Sequence, residues 1–229
     1  MITKILGIPL KIILQVILAF TLSATPVFGD SIQDGIDAYE RDDRQSAKKI
    51  LTPFAEEGNE VAQYYLGMMH IGSSEKRFKW FTLSANQGYA KSMVMLAWHY
   101  KIDNCDKALK WIHLAVSKKS AEAYDELGVW YYQGTCVPRN DKEAIRLYHL
   151  AANKGSTNAQ DNLGKLYYFG DGVPQDYVLA HMWFNISSSK ASKSVLFDPS
   201  EWRRKVQKLM TPNQIAEAQK LAREWVKNH

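Results

Sequence analysis

Two cysteines, three Ser-x-x-Lys triplets and two histidines in one register are the residues whose types and spacing could do chemistry. Cys105 and Cys136 are the only cysteines among 229 residues. Two thiols can form one disulfide in an oxidising compartment, stay a buried reduced pair, or hold a metal. Zinc would need further ligands, and only His99 or His113 stands near, without ligand spacing. Ser46–Lys49, Ser73–Lys76 and Ser187–Lys190 have the spacing of a penicillin-recognising nucleophile, but its companions Ser-Asp-Asn and Lys-Thr-Gly are missing. In a chain rich in Ser and Lys the triplets read as chance. His113 and His149 each stand two residues after a bulky apolar residue, Trp111 and Leu147. A metal or pH ladder would use them; as two polar residues on an outer helix face they would merely be carried, and the spacing favours the outer face. No catalytic residue, metal ligand or cofactor follows.

The elements that carry these residues come from a repeat. Leu66, Leu96, Leu127 and Leu163, each followed by Gly or Ala, step by 30, 31 and 36 residues. Four residues before them stand Ala62, Ser92, Ala123 and Ala159; four residues after, His70, Tyr100, Tyr131 and Tyr167. The spacing i−4, i, i+4 marks one helix face. A small residue next to the Leu lets another helix approach closely, which justifies a helix-interior glycine despite its propensity cost. A second helix follows in each unit, with the register Ala47/Ile50/Leu51, Arg77/Trp80/Phe81, Ala108/Trp111/Ile112, Ala144/Leu147/Tyr148 and Ala180/Trp183/Phe184. Gly58, Gly88 and Gly155 end three of these helices as left-handed caps. Lys119 occupies the fourth such position, where a looser turn is expected.

The steps differ because one loop varies. Gly134-Thr135-Cys136-Val137-Pro138-Arg139-Asn140 matches Gly170-Asp171-Gly172-Val173-Pro174-Gln175-Asp176, and the two preceding units lack five or six residues there. Cys105 and Cys136 each lie nine residues after their Leu, just past the first helix of adjacent units. Stacked helices stand about 8–10 Å apart, beyond the roughly 7 Å that a disulfide spans between Cα atoms. The unequal loops can close that gap, so a disulfide is the expectation. Cys136 also takes the position of Gly172, so something else must hold that turn. The junction between residues 96 and 136 is where the array departs from regularity.

Outside the array, residues 1–29 have Lys4 and Lys11, an apolar run from Ile12 to Leu22, and small residues before Gly29. This reads as a secretory signal peptide cleaved near Gly29, with an uncleaved anchor as the alternative. Cleavage lowers the formal charge of +5 by two. The remainder is too mild and too scattered to indicate nucleic acid. Residues 31–57 form a degenerate first unit. After Lys190 the register stops and Ala191–Phe197 reads as a linker. Asp198-Pro199-Ser200-Glu201 and Thr211-Pro212-Asn213-Gln214 are helix starts. The stripe Ile215, Ala218, Leu221, Ala222 and Trp225 gives the last helix an apolar face that closes the stack. The organisation expected is signal peptide 1–29, repeat array 30–190 and capping helices 191–229.

Leu-Gly-x-x-Tyr, Gly-x-Gly-Val-Pro-x-Asp, Ala-x-x-Trp-Phe and Ala-Ala-x-x-Gly, with the ending Met210–Gln219, resemble the Sel-1-like repeats, relatives of tetratricopeptide repeats. The resemblance covers nearly the whole mature chain. It implies an all-α, right-handed α-α superhelix of about five helix-turn-helix repeats with a two-helix C-terminal cap. It further implies a non-catalytic adaptor, periplasmic or secreted, holding a protein or peptide partner and read as a monomer. One cysteine-rich branch of the family has been linked to penicillin binding, but it carries a Cys pair inside each repeat, unlike this chain. By analogy with tetratricopeptide repeats, a concave groove is lined by Tyr64, Met68 and Ile71; Val94, Trp98 and Lys101; Asp125, Val129 and Tyr132; Asp161, Lys165 and Tyr168. Aromatics interleaved with charges suit a peptide laid in a groove. The competing expectations are an envelope enzyme or β-lactam-binding protein, and a carbohydrate or peptidoglycan binder using the same aromatics.

Overall fold

The computed structural model describes residues 31–70, 74–190 and 199–229. Among them are twelve α-helices and no strand. They are α1 (Ile32–Glu40), α2 (Arg44–Glu56), α3 (Glu60–Met69), α4 (Ser74–Asn86), α5 (Ala90–Tyr100), α6 (Cys105–Ser117), α7 (Ala121–Gln133), α8 (Asp141–Asn153), α9 (Thr157–Phe169), α10 (Tyr177–Lys190), α11 (Pro199–Gln207) and α12 (Pro212–Asn228). The signal-peptide reading of 1–29, Ile71, Ser73, the linker 191–197 and the Asp198 cap lie outside the described residues. No helix among the described residues is long and apolar enough to cross a membrane.

The chain divides into two compact units, residues 1–51 and 52–229, with the division inside α2. In the first unit, Ser31 caps α1 reciprocally: Asp34 N–H donates to the Ser31 hydroxyl at 3.2 Å, and Ser31 N–H to the Asp34 carboxylate at 2.6 Å. Gly35 packs against Leu51, where a Cβ would stand 2.6 Å from Leu51 Cδ2. This is the glycine-on-second-helix contact of the full repeats in short form.

The second unit is an α-solenoid. First helices α3, α5, α7 and α9 pair with second helices α4, α6, α8 and α10. The four anchor leucines are buried, and Ala62, Ser92, Ala123 and Ala159 are completely so. The small residue after each Leu faces a specific partner. A Cβ on Gly67 would come within 2.6 Å of Phe81, on Gly128 within 2.9 Å of Tyr148, and on Gly164 within 2.6 Å of Phe184. Each glycine is therefore the socket for an aromatic ring on the paired helix. In the one unit where Ala97 replaces the glycine, the ring is replaced by Ile112; both are fully buried in one core cluster. The volume added on one helix is removed from the other, as a core packed to crystal density requires.

The turns between units take the left-handed conformation at Gly58, Gly88 and Gly155, and equally at Lys119, with φ of 57°. The expected loosening at Lys119 does not occur. Its N–H donates to Val116 O at 2.8 Å, so the capping turn closes and the lysine accepts the backbone cost instead. The long loops also share one plan. Asn140 N–H donates to Tyr131 O at 2.8 Å and Asp176 N–H to Tyr167 O at 2.9 Å; in the shorter unit Asn104 N–H donates to Tyr100 O at 2.7 Å. One hydrogen bond thus closes loops of different length, and its donor residue also caps the next helix, through Lys107, Glu143 and Leu179 N–H.

At the C-terminus, α11 and α12 both pack on α10. Thr211 and Gln214 form the capping box that starts α12. Ala218 and Ala222 are buried, and the Trp225 ring meets Trp183 edge-on at 5.5 Å. Trp202 of α11 lies nearly parallel to Phe184, 19° apart and 5.9 Å between centroids. These contacts cover the apolar face that an open last repeat would expose.

Candidate functional site

Cys105 opens α6, and Cys136 lies in the loop after α7. They form a disulfide with a Cα separation of 5.1 Å. The five-residue difference between the loops brings the two positions well inside the helix-to-helix distance. Cys136 has φ of 57°, matching the 72° of Gly172 in the equivalent loop. A covalent tie therefore holds, without glycine, the left-handed turn that glycine adopts freely one repeat later. A disulfide is consistent with an oxidising, extracytoplasmic compartment.

The same loop carries Arg139. Its guanidinium donates to Asp141 at 2.8 Å and to Asp171 at 3.2 Å, and sits 5.3 Å over the Tyr132 ring. The Tyr132 hydroxyl donates to Asp171, which raises the tyrosine's pKa. The two long loops are thus joined by a Tyr132–Asp171–Arg139 cluster beside the clipped turn.

Beneath this cluster lies a cavity of about 200 Å3 between α7 and α9. Val129, Tyr132, Tyr148, Leu166 and Phe169 supply its apolar wall, and Gln133, Asn162, Lys165 and Asp171 its polar edge. Phe169 is 61% exposed, so a large ring stands at the mouth in contact with water. At one end, Asn162 donates to the Asp125 carboxylate at 3.3 Å, and Lys165 pairs with Asp161 at 2.6 Å. The Asp161 side chain is only 7% exposed, and its second oxygen, Oδ1, has no hydrogen-bond partner. Burial pushes Asp125 up to about 7, and the neighbouring carboxylates Glu126, Glu122 and Asp161 push it the same way against the Asn162 hydrogen bond.

The structure distributes the eleven groove residues it describes unevenly. Val129, Tyr132 and Lys165 line the cavity. Asp125 and Asp161 stand behind its polar edge. Trp98 is half exposed, with the Lys101 ammonium 4.3 Å from its ring centroid, and Lys101 also pairs with Glu126 at 3.5 Å. Tyr64 and Met68 are partly buried against the core around Phe81. Val94 is only 4% exposed and packs within the core cluster that includes Phe81 and Leu127. Its position in the register is filled by Asp125 and Asp161 in later units, where a charge keeps the site polar. Tyr168 turns toward the cap, its ring 5.5 Å from Trp202 and 5.8 Å from Tyr177. Phe169, not among the expected residues, is the more exposed of the two at 61%, although its ring also meets Trp202 edge-on at 5.8 Å. Its signal was available: it stands six residues after Leu163, as the 84%-exposed Ile102 stands six after Leu96.

The residues singled out for other chemistry are placed differently. Ser187 is fully buried and donates to Phe184 O at 3.2 Å, so its hydroxyl does not face solvent. His113 is exposed. His149 packs edge-on against Trp183 at 5.6 Å, and burial lowers its pKa.

The Sel1 repeat model matches residues 61–89, 90–120, 121–156 and 157–192, more than half of the chain. This chain belongs to the Sel1 repeat family. The four matched segments each span one first helix and the second helix that follows it. Members of the family typically serve as protein–protein interaction scaffolds. No curated protein matches the chain. Among solved structures, it is similar to c5321, a protective antigen present in uropathogenic Escherichia coli strains displaying an SLR fold. Identity is 28% with a TM-score of 0.67, over 86% of this chain and 44% of that one. This chain therefore spans less than half the length of c5321. A Sel1 repeat protein from Oxalobacter formigenes shares the fold at 21% identity and a TM-score of 0.64, with 91% of each chain covered.

Proposed function

We propose that this Sel1 repeat chain is an exported, non-catalytic scaffold that binds a protein or peptide in the groove between α7 and α9. The observation that carries the reading is the cavity of about 200 Å3 between the first helices of two full-length repeats, floored by Tyr148 and Leu166 and opening past the exposed Phe169. That volume suits one large apolar side chain. Non-polar burial with a few polar groups at the edge is the usual make-up of a recognition pocket. The Cys105–Cys136 disulfide and the signal-like residues 1–29 support export. The test is photocrosslinking in the source cells from Gln133, at the pocket mouth, analysed across the proteome. Polypeptide adducts from that position that vanish on Phe169→Ala support the reading. Adducts to cell-wall glycan alone would replace the protein partner with a carbohydrate.

A further inference from the structure

The structure points to the kind of polypeptide this groove takes. We propose that the occupant presents a cationic side chain, Arg or Lys, next to a bulky apolar one. The apolar residue fills the α7–α9 cavity, and the cation reaches Asp125 and Asp161 at its polar end. The inference rests on the groove being the binding site and adds the chemistry of what is bound.

Charge pairing along α7 and α9 carries it. Three of the four carboxylates there have a cation: Glu122 pairs with Lys91 at 3.5 Å, Glu126 with Lys101 at 3.5 Å, and Asp161 with Lys165 at 2.6 Å. Asp125, among the described residues, has a neutral partner, Asn162, and no cation. Next to it, Asp161 keeps a buried oxygen without any donor. A buried acceptor left unmade loses its hydration and gains nothing in return. Asn162 and Lys165 line the cavity and hold these two carboxylates behind them. Once Asp125 is ionised, above about pH 7, the local surplus is one negative charge and one empty acceptor beside an apolar pocket, in a chain whose overall formal charge is +5. An arriving guanidinium supplies both a compensating charge and several donors in a planar fork. An arriving carboxylate would add a further negative charge to a group of four. Charge complementarity of this kind selects between partners more than it adds raw affinity.

The test uses the full disulfide-bonded chain. Random dodecapeptides displayed on phage are selected on it at pH 8, with the Phe169→Arg variant as the counter-selection. Enriched peptides are synthesised, and their affinities are measured by fluorescence anisotropy for the parent chain and for Asp125→Asn. The proposal expects Arg or Lys within two residues of an aromatic or aliphatic residue, and at least tenfold weaker binding when that cation becomes Gln. Against Asp125→Asn the penalty should shrink to threefold or less, with far-UV circular dichroism unchanged. Asp161→Asn repeats the comparison should Asp125→Asn not fold. Enriched peptides that are acidic or lack a charge preference, or a Gln penalty that Asp125→Asn leaves intact, overturn the cationic proposal while the groove stands. No enrichment over the Phe169→Arg chain overturns both.

Discussion

Removing the Cys105–Cys136 bond is the perturbation whose size follows most directly from the structure. The bond joins residues 31 apart, one repeat length. The loop-entropy relation gives about 12 cal/mol/K for a closed loop of that size, or roughly 3.7 kcal/mol at 25 °C. Opposing it, Cys136 sits at φ 57°, a left-handed conformation costing a non-glycine residue about 1–2 kcal/mol. The two contributions separate in a pair of variants. Cys105→Ser/Cys136→Ser loses the clip and keeps the strained turn. Cys105→Ser/Cys136→Gly loses the clip but carries the residue that the equivalent Gly172 supplies. Urea unfolding followed by circular dichroism should place the Ser/Ser chain about 3–4 kcal/mol below the oxidised parent. The Ser/Gly chain should stand about 1 kcal/mol above the Ser/Ser chain, because glycine adopts that turn without a Cβ. Wild-type protein in excess reductant should fall with Ser/Ser. A Ser/Ser chain within 1 kcal/mol of the parent would refute the clip as a constraint on the unfolded chain. Equal Ser/Ser and Ser/Gly stabilities would refute the account of the turn.

Three further outcomes are expected. Gly164→Ala drives a methyl to 2.6 Å from the Phe184 ring and should destabilise by about 1–3 kcal/mol despite its better helix propensity; adding Phe184→Ile, which imitates the natural Ala97/Ile112 pair, should recover much of the loss in the same urea assay. Asp125 holds its proton in the folded chain up to about pH 7, whereas an unfolded aspartate releases it near 3.9. The native state therefore binds more protons in that window, and stability should fall as pH rises from about 4 to 7, by at most about 4 kcal/mol. The groups facing Asp125 are Glu122 and Glu126 on its own helix, Asp161 and Asn162 on α9, and the Tyr148 hydroxyl on α8, which burial keeps protonated there. Asp125→Asn should flatten the slope in melting curves taken across those pH values, and an unchanged slope would assign it to other groups. Tyr168→Ala should lower stability by about 1–3 kcal/mol through the loss of its contacts with Trp202 and Tyr177, while Tyr132→Ala should chiefly weaken peptide binding; reversed effects would show that the cap and the groove have been interchanged.

The repeat was legible in the sequence because one packing contact recurs at each copy. Leu with a small neighbour on one helix, and a ring or Ile112 on the next, leaves a trace in residue type alone. The disulfide was legible for a similar reason, since two cysteines occupy one register position where adjacent loops differ in length. The groove was less so. Register placed Val94, Asp125 and Asp161 in one row, yet the partners each meets come from other helices, which periodicity does not contain. Val94 falls into the core, while Asp125 retains a neutral partner. Tyr168 and Phe169 are adjacent in sequence and both rings meet Trp202, a residue far along the chain, at 5.5 and 5.8 Å, yet Phe169 stays 61% exposed; only the folded cap sets that difference. The Tyr132–Asp171–Arg139 cluster joins a residue at the end of α7 to one from each of the two long loops and has no short-range signature.

The claim that the α7–α9 groove receives a polypeptide is tested most directly by comparing two photocrosslinking positions in the source cells. Gln133 sits at the pocket mouth and Leu83, 40% exposed, lies on the second helix α4 away from it. Crosslinks to discrete polypeptides from Gln133 but not from Leu83, abolished by Tyr132→Ala, are the predicted result. Equal labelling from both positions, or polypeptide adducts from Leu83 alone, would contradict the groove.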